Sequence, residues 1–160
     1  MMSVVWLVFA AIGIVAAASD VSTYKIPNFC SIALCGLFLA VALWRYGQIH
    51  WLDHLGAGAL FLVVGIGFYM VKQLGAGDAK LFAGYALWSG FHAIVMLLLC
   101  VAIASLIQLS VIIVLRWLYQ KRTYSLPRVL RKREVIPLGV GIALGGIVAS
   151  YWFQPVLWAI

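Results

Sequence analysis

The sequence predicts an all-α, polytopic membrane bundle of about six transmembrane helices, and three observations carry that expectation. Of the 160 residues, 66% are hydrophobic and 9% are charged, with a mean hydropathy of +1.13. That balance leaves too little polar surface to cover a soluble domain of this size. The apolar residues fall in runs of bilayer length, since about 20 helical residues cross a hydrocarbon core about 30 Å thick. The basic residues gather in alternate connections between those runs. At this length a single domain over 1–160 is expected.

The first span is read at about 3–19. "VAAAS" at 15–19 resembles a leader cleavage site, but no Lys or Arg precedes it, so the basic start of a signal peptide is missing and a retained helix is expected. The second span, at about 29–46, follows Pro27, which disfavours helix at Ile26, and Asn28 is the expected cap. The third lies at about 54–71. The fourth, at about 78–90, is the weak one, because 13 residues of helix span only about 20 Å. It must start below one surface or borrow residues from its flanks. The fifth and sixth are read at about 92–116 and 136–158. Glycines are dense in spans three and six. Close packing within one bundle explains Gly141-x-x-x-Gly145 better than a dimer face does.

Six spans put both termini on one side and the loops at about 20–28, 72–80 and 116–134 on the other. Those loops hold Lys25, Lys72, Lys80, Arg116, Lys121, Arg122, Arg128, Arg131, Lys132 and Arg133, leaving only Arg45 across the membrane. The positive-inside rule makes these loops cytoplasmic and the termini external. Trp44, Tyr46, Trp51, Trp88, Phe91, Trp117 and Tyr119 fall at the expected interfaces. Topology therefore explains the net charge of +7 without a nucleic-acid partner. The loop at 116–133 is expected to meet anionic lipid headgroups. Cys30, Cys35 and Cys100 are odd in number and form no C-x-x-C pair, so neither zinc nor a disulfide framework is expected of them.

Only four acids are present, Asp20, Asp53, Asp78 and Glu134. Asp20 ends span one and Asp78 begins span four, so the topology brings both to the cytoplasmic rim although 58 residues separate them. Two carboxylates facing each other in a low-dielectric site cannot both ionise cheaply, and they can hold a water between a base and a protonated partner. This is the chemistry of aspartic proteolysis. Gly75 and Gly77 suit it, because glycine permits positive φ and lets a substrate backbone approach. Bland roles stand beside this one. Asp20 could pair with Lys25, and Asp78 could cap the fourth helix. A transporter that relays protons or binds a cation through Asp20 and Asp78 is the rival reading. Asp53, beside Arg45, His50 and His54, is expected to be solvated, and Glu134 to neutralise the basic run before it. His50 and His54 have i, i+4 spacing, but H-E-x-x-H is absent and no third ligand is evident, so no metal is expected. "GAGDAK" lacks the spacing of a phosphate loop, and no G-x-S-x-G elbow is present.

"GAGDAK" at 75–80, "D…KIPN" at 20–28 and "EVIPLGVGIALGG" at 134–146 together resemble the signatures of type IV prepilin peptidases, in particular the short form found with tight-adherence pilus systems. The likeness covers essentially the whole chain. Presenilin-like peptidases share G-x-G-D, but their first aspartate lies in an apolar Y-D element that is absent here. The resemblance implies a multi-pass protein of the inner (cytoplasmic) membrane. Such an aspartic endopeptidase removes the leader from prepilins or pseudopilins on the cytoplasmic side, after a glycine, without a cofactor. It implies Asp20 and Asp78 as the catalytic pair, and Gly75, Gly77, Lys80, Lys25, Pro27 and Asn28 as residues that shape the loops or meet the substrate. Longer members also methylate the new N-terminus and carry a cytoplasmic domain between the first two spans. Only about nine residues stand there in this chain, so methyltransferase activity is not expected.

Overall fold

The computed structural model of the protein describes residues 4–47, 49–119 and 137–153. They form six α-helices: α1 (Val4–Thr23), α2 (Asn28–Trp44), α3 (Trp51–Met70), α4 (Ala76–Ser89), α5 (Ile94–Tyr119) and α6 (Leu138–Ala149). A 3-10 turn, Ser150–Trp152, follows α6. The cationic loop from Lys121 to Arg133, and Glu134 with it, lies outside the described residues.

The helix boundaries follow local chemistry. Asp20 lies inside α1 rather than at its end, because nothing between Asp20 and Thr23 stops a helix. Ser22 and Thr23 return their hydroxyls to the Ser19 carbonyl, one turn back. Pro27, extended at φ −62° and ψ 137°, is the N-cap of α2, and Asn28 is the first helical residue rather than the cap. The α3 C-terminus closes in a Schellman arrangement, with the Gln73 N–H bonded to the Phe68 carbonyl and the Lys72 N–H to that of Tyr69. Lys72 takes the left-handed conformation, φ 59°, that glycine more often fills there.

Among the described residues, three helices are long and apolar enough to cross a membrane: Val4–Thr23, Trp51–Met70 and Ile94–Leu118. The weak fourth span is the centre of the molecule. Helix α4 packs against α2, α3, α5 and α6, and every residue from Ala83 to Ser89 is buried. A helix buried on all sides needs no lipid-facing stripe, and at about 21 Å it is shorter than the hydrocarbon core. Its two largest side chains hold the others in place. Phe9 of α1 meets Tyr85 and Trp88 edge to face, with ring centroids 5.4 and 5.2 Å apart. Phe38 of α2 meets Trp88 from another side at 5.6 Å. The buried polar atoms are satisfied by backbone: Trp88 Nε1 donates to the Leu34 carbonyl at 3.0 Å, and Tyr85 Oη to that of Ala143 at 3.5 Å. On the far side α6 lies so close to α5 that a Cβ at Gly145 would collide with the Val101 backbone, so the Gly141/Gly145 pair serves packing within the bundle.

Candidate active site

The two aspartates predicted to share one rim do share one cleft. Asp20 comes from the last turns of α1 and Asp78 from the first turn of α4, and both line a cavity of about 750 Å³ together with Tyr24, Tyr69, Lys72 and Gln73. A third element joins them. A Cβ placed on Gly139, at the start of α6, would lie 2.8 Å from Asp20 Oδ2 and 3.0 Å from Asp78 Oδ1. These two oxygens are therefore no farther apart than the sum of those distances. Both are buried and have no hydrogen-bond partner among the described residues.

Each carboxylate is held from behind by a helix N-terminus. The Gly139 and Val140 backbone N–H groups are directed at Asp20, which is only 5% exposed. Those amides belong to the first turn of α6, whose N-cap, Pro137, offers no side-chain bond. Asp20 thus supplies from another helix the acceptor that orphan helix amides require. Asp78 is the third residue of α4 and reaches back to the N–H of Gly75, the N-cap, as the acid of a capping box does. The capping role expected as the bland alternative for Asp78 and its place in the cleft are compatible, because the cap fixes one face of the carboxylate and leaves the other open. The alternative for Asp20 is not met: no ion pair joins it to Lys25 among the described residues.

The glycines act differently from what their sequence suggested. Gly75 has φ −71°, and neither it nor Gly77 takes positive φ. Their value lies in bareness. A Cβ on Gly75 would sit 2.7 Å from Asp78 Oδ2, blocking the reach-back, and one on Gly77 would sit 3.0 Å from Ile26 Cβ and 3.2 Å from the Ile26 carbonyl. The Tyr24–Pro27 segment can therefore lie directly against the start of α4. Tyr24 itself has φ 54°, a left-handed conformation that costs a bulky residue on the order of 1–3 kcal/mol. Its buried hydroxyl has no partner among the described residues and faces the same cleft.

Lys80, Lys25, Pro27 and Asn28 do not line the cleft. Lys80 follows Asp78 by two residues, about 200° around the helix, so it points away. Its Nζ donates to Asn28 Oδ1 at 2.9 Å, where both border a separate groove between α2, α3 and α4. Lys25 and Pro27 are exposed, and the Lys25 carbonyl accepts the Ser19 hydroxyl at 2.9 Å. Lys80 thus tethers the start of α2 to α4. Lys80→Ala and Asn28→Ala should each lower stability by less than about 1 kcal/mol, the scale of one exposed hydrogen bond. The activity of the cleft should stay within about threefold of wild type; a hundredfold loss in either would show that the tether governs the cleft.

Sequence reasoning missed Gly139, Val140, Ile26 and Tyr24. Gly139 stood inside the noted "EVIPLGVGIALGG" segment, and its position at the first turn of a helix was the available signal. Its approach to two distant carboxylates is tertiary and has no local signature.

The model of the type IV leader peptidase family matches residues 7–113 of the chain. That segment holds Asp20 and Asp78 and ends inside α5, before Gly139. No curated protein matches the chain significantly, and no solved structure does.

Proposed function

Since the chain belongs to the type IV leader peptidase family, and is a membrane peptidase of prepilin-type substrates on that ground, we propose that it works as an aspartic endopeptidase with Asp20 and Asp78 as its catalytic pair. The observation that carries this reading is the pair of buried oxygens, Asp20 Oδ2 and Asp78 Oδ1, that have no partner among the described residues and converge on the bare face of Gly139. Two carboxylates this close share one proton, because a second negative charge in a poorly solvated site is expensive. A water bridging them would satisfy both orphan oxygens.

In the reaction, the ionised carboxylate takes a proton from that water as the oxygen attacks the scissile carbonyl carbon. The protonated carboxyl gives its proton to the carbonyl oxygen, forming a neutral gem-diol. As the C–N bond breaks, the carboxylate that gave up its proton takes one back from a gem-diol hydroxyl, and the carboxyl that gained the water proton delivers it to the departing amine, which restores the starting pair. The amide bonds behind each carboxylate, from α6 to Asp20 and from Gly75 to Asp78, keep the pair oriented through these transfers.

The substrate's apolar helix has a place to lie. An apolar groove between α3, α4, α5 and α6, about 380 Å³ and lined by Phe61, Phe68, Phe82, Val101 and Ile142, shares Gln73, Leu74 and Leu138 with the cleft. A chain with its apolar helix in that groove would pass its leader junction over the aspartates. In this proposal the cleft faces the cytoplasm, following the distribution of basic residues.

The test is incubation of the purified protein in detergent with a prepilin, read by gel shift and by mass spectrometry of the new N-terminus. Cleavage after the leader glycine is expected, and the product should stay unmethylated when S-adenosylmethionine is supplied. An intact prepilin would overturn the activity, and a methylated product the restriction to peptidase chemistry.

A further inference from the structure

At the end of α4 away from Asp78, about 17 Å along the helix, three potential ligands converge that the proposed peptidase chemistry does not use. Asp53 and His54 stand in the first turn of α3, and His92 lies in the turn between α4 and α5. One donor atom from each falls within 4.8 Å of the others. Asp53, expected to be solvated in the turn beside Arg45, His50 and His54, instead has its Oδ2 3.1 Å from His92 Nδ1. His92 is the third donor that the His50/His54 spacing could not supply, because it comes from a different turn of the chain.

We propose that Asp53, His54 and His92 form a zinc site. Two imidazoles and a carboxylate are a donor set that Zn²⁺ accepts, with a fourth position left for water. Three features make the cluster more than a chance gathering of polar groups. His54 is only 3% exposed, and its Nδ1 bonds the Leu87 carbonyl at 2.9 Å. That bond makes Nδ1 the protonated nitrogen and leaves the lone pair on Nε2, which is how metal-binding histidines are fixed by a second group. Gly90, with φ 60°, supplies the clearance: a Cβ there would collide with Asp53 Oδ2 and would lie 2.9 Å from His92 Nδ1 and 3.2 Å from His54 Cε1. Finally, His92 sits on an exposed turn, 41% accessible at its side chain, and can close on an ion while His54 stays anchored. Donors around a tetrahedral zinc are about 3.4 Å apart, so binding requires a contraction of up to about 1.4 Å, which a rotamer change at His92 covers. The ion would staple the start of α3 to the end of α4.

The test uses the full-length protein in detergent, purified without a polyhistidine tag and titrated with ZnCl₂. One zinc per chain is expected, with two imidazoles and one carboxylate oxygen in the X-ray absorption spectrum and a raised unfolding midpoint. His92→Ala and Asp53→Asn should weaken binding by at least about tenfold, since loss of even an outer partner costs 10–100-fold. His92 is exposed, so its variant should fold even where His54→Ala does not. His50→Ala, close in sequence but outside the cluster, should bind as wild type does. Absence of stoichiometric binding, or equal loss in His50→Ala, would overturn the site.

Discussion

Asp20→Asn and Asp78→Asn should each lower prepilin cleavage by at least about 10³-fold while leaving the unfolding midpoint nearly unchanged. The structural reason for the second half is specific to this cleft. Asparagine keeps a carbonyl oxygen, so it can still accept from the Gly139 and Val140 amides at position 20, or from the Gly75 amide at position 78. The helix ends stay capped, and no volume is removed from around Asp20, which is only 5% exposed. What asparagine cannot do is take a proton from water or give one to a carbonyl oxygen. Because the two acids act as a unit, the double variant should be no more defective than either single one. Full-length chain, unchanged midpoint and retained cleavage in either variant would remove that residue from the catalytic pair. A transporter reading would then gain ground, and ion flux in proteoliposomes would measure it directly.

Much of the arrangement that makes this prediction possible was legible in the residues, and the exceptions have physical causes. Bilayer-length apolar runs are a property of composition and length, so the all-α bundle follows from the sequence directly. The cleft was half legible. That Asp20 and Asp78 share a rim follows from counting reversals of the chain. That Gly75 and Gly77 are bare for the sake of Asp78 and Ile26, rather than for positive φ, depends on which atoms approach them from elsewhere. Lys80 illustrates the same limit from the other direction. Its motif position suggests partnership with Asp78, yet helical geometry turns it toward Asn28. Helix α4 was marked as too short to span, but its central burial by four other helices is a tertiary fact. His92 escaped notice because its partners lie 38 and 39 residues away, beyond any local spacing rule.

Gly139 yields the second large effect, and it separates positioning from folding. In Gly139→Ala the new methyl group would meet Ile26 Cδ1 at 2.5 Å, Asp20 Oδ2 at 2.8 Å and Asp78 Oδ1 at 3.0 Å. Ile26 Cδ1 is the tip of a flexible side chain and can turn away at little cost. The carboxylates can give way only by loosening the amide bonds that orient them and by widening the gap between Oδ2 and Oδ1. Alanine is also favoured over glycine inside a helix by up to about 1 kcal/mol, which offsets part of the crowding. The unfolding midpoint should therefore move little, whereas kcat should fall by about 10²-fold, the scale of a 1 Å misplacement of reacting groups. KM should change less than kcat, because the apolar groove between α3, α4, α5 and α6 is untouched. Gly67→Ala on α3 is the control, since a Cβ there meets nothing within 4 Å, and its cleavage rate should match wild type. A Gly139→Ala protein that cleaves at the wild-type rate would mean that the two aspartates are not held at working distance by α6, and that the cleft closes by some other movement before reaction.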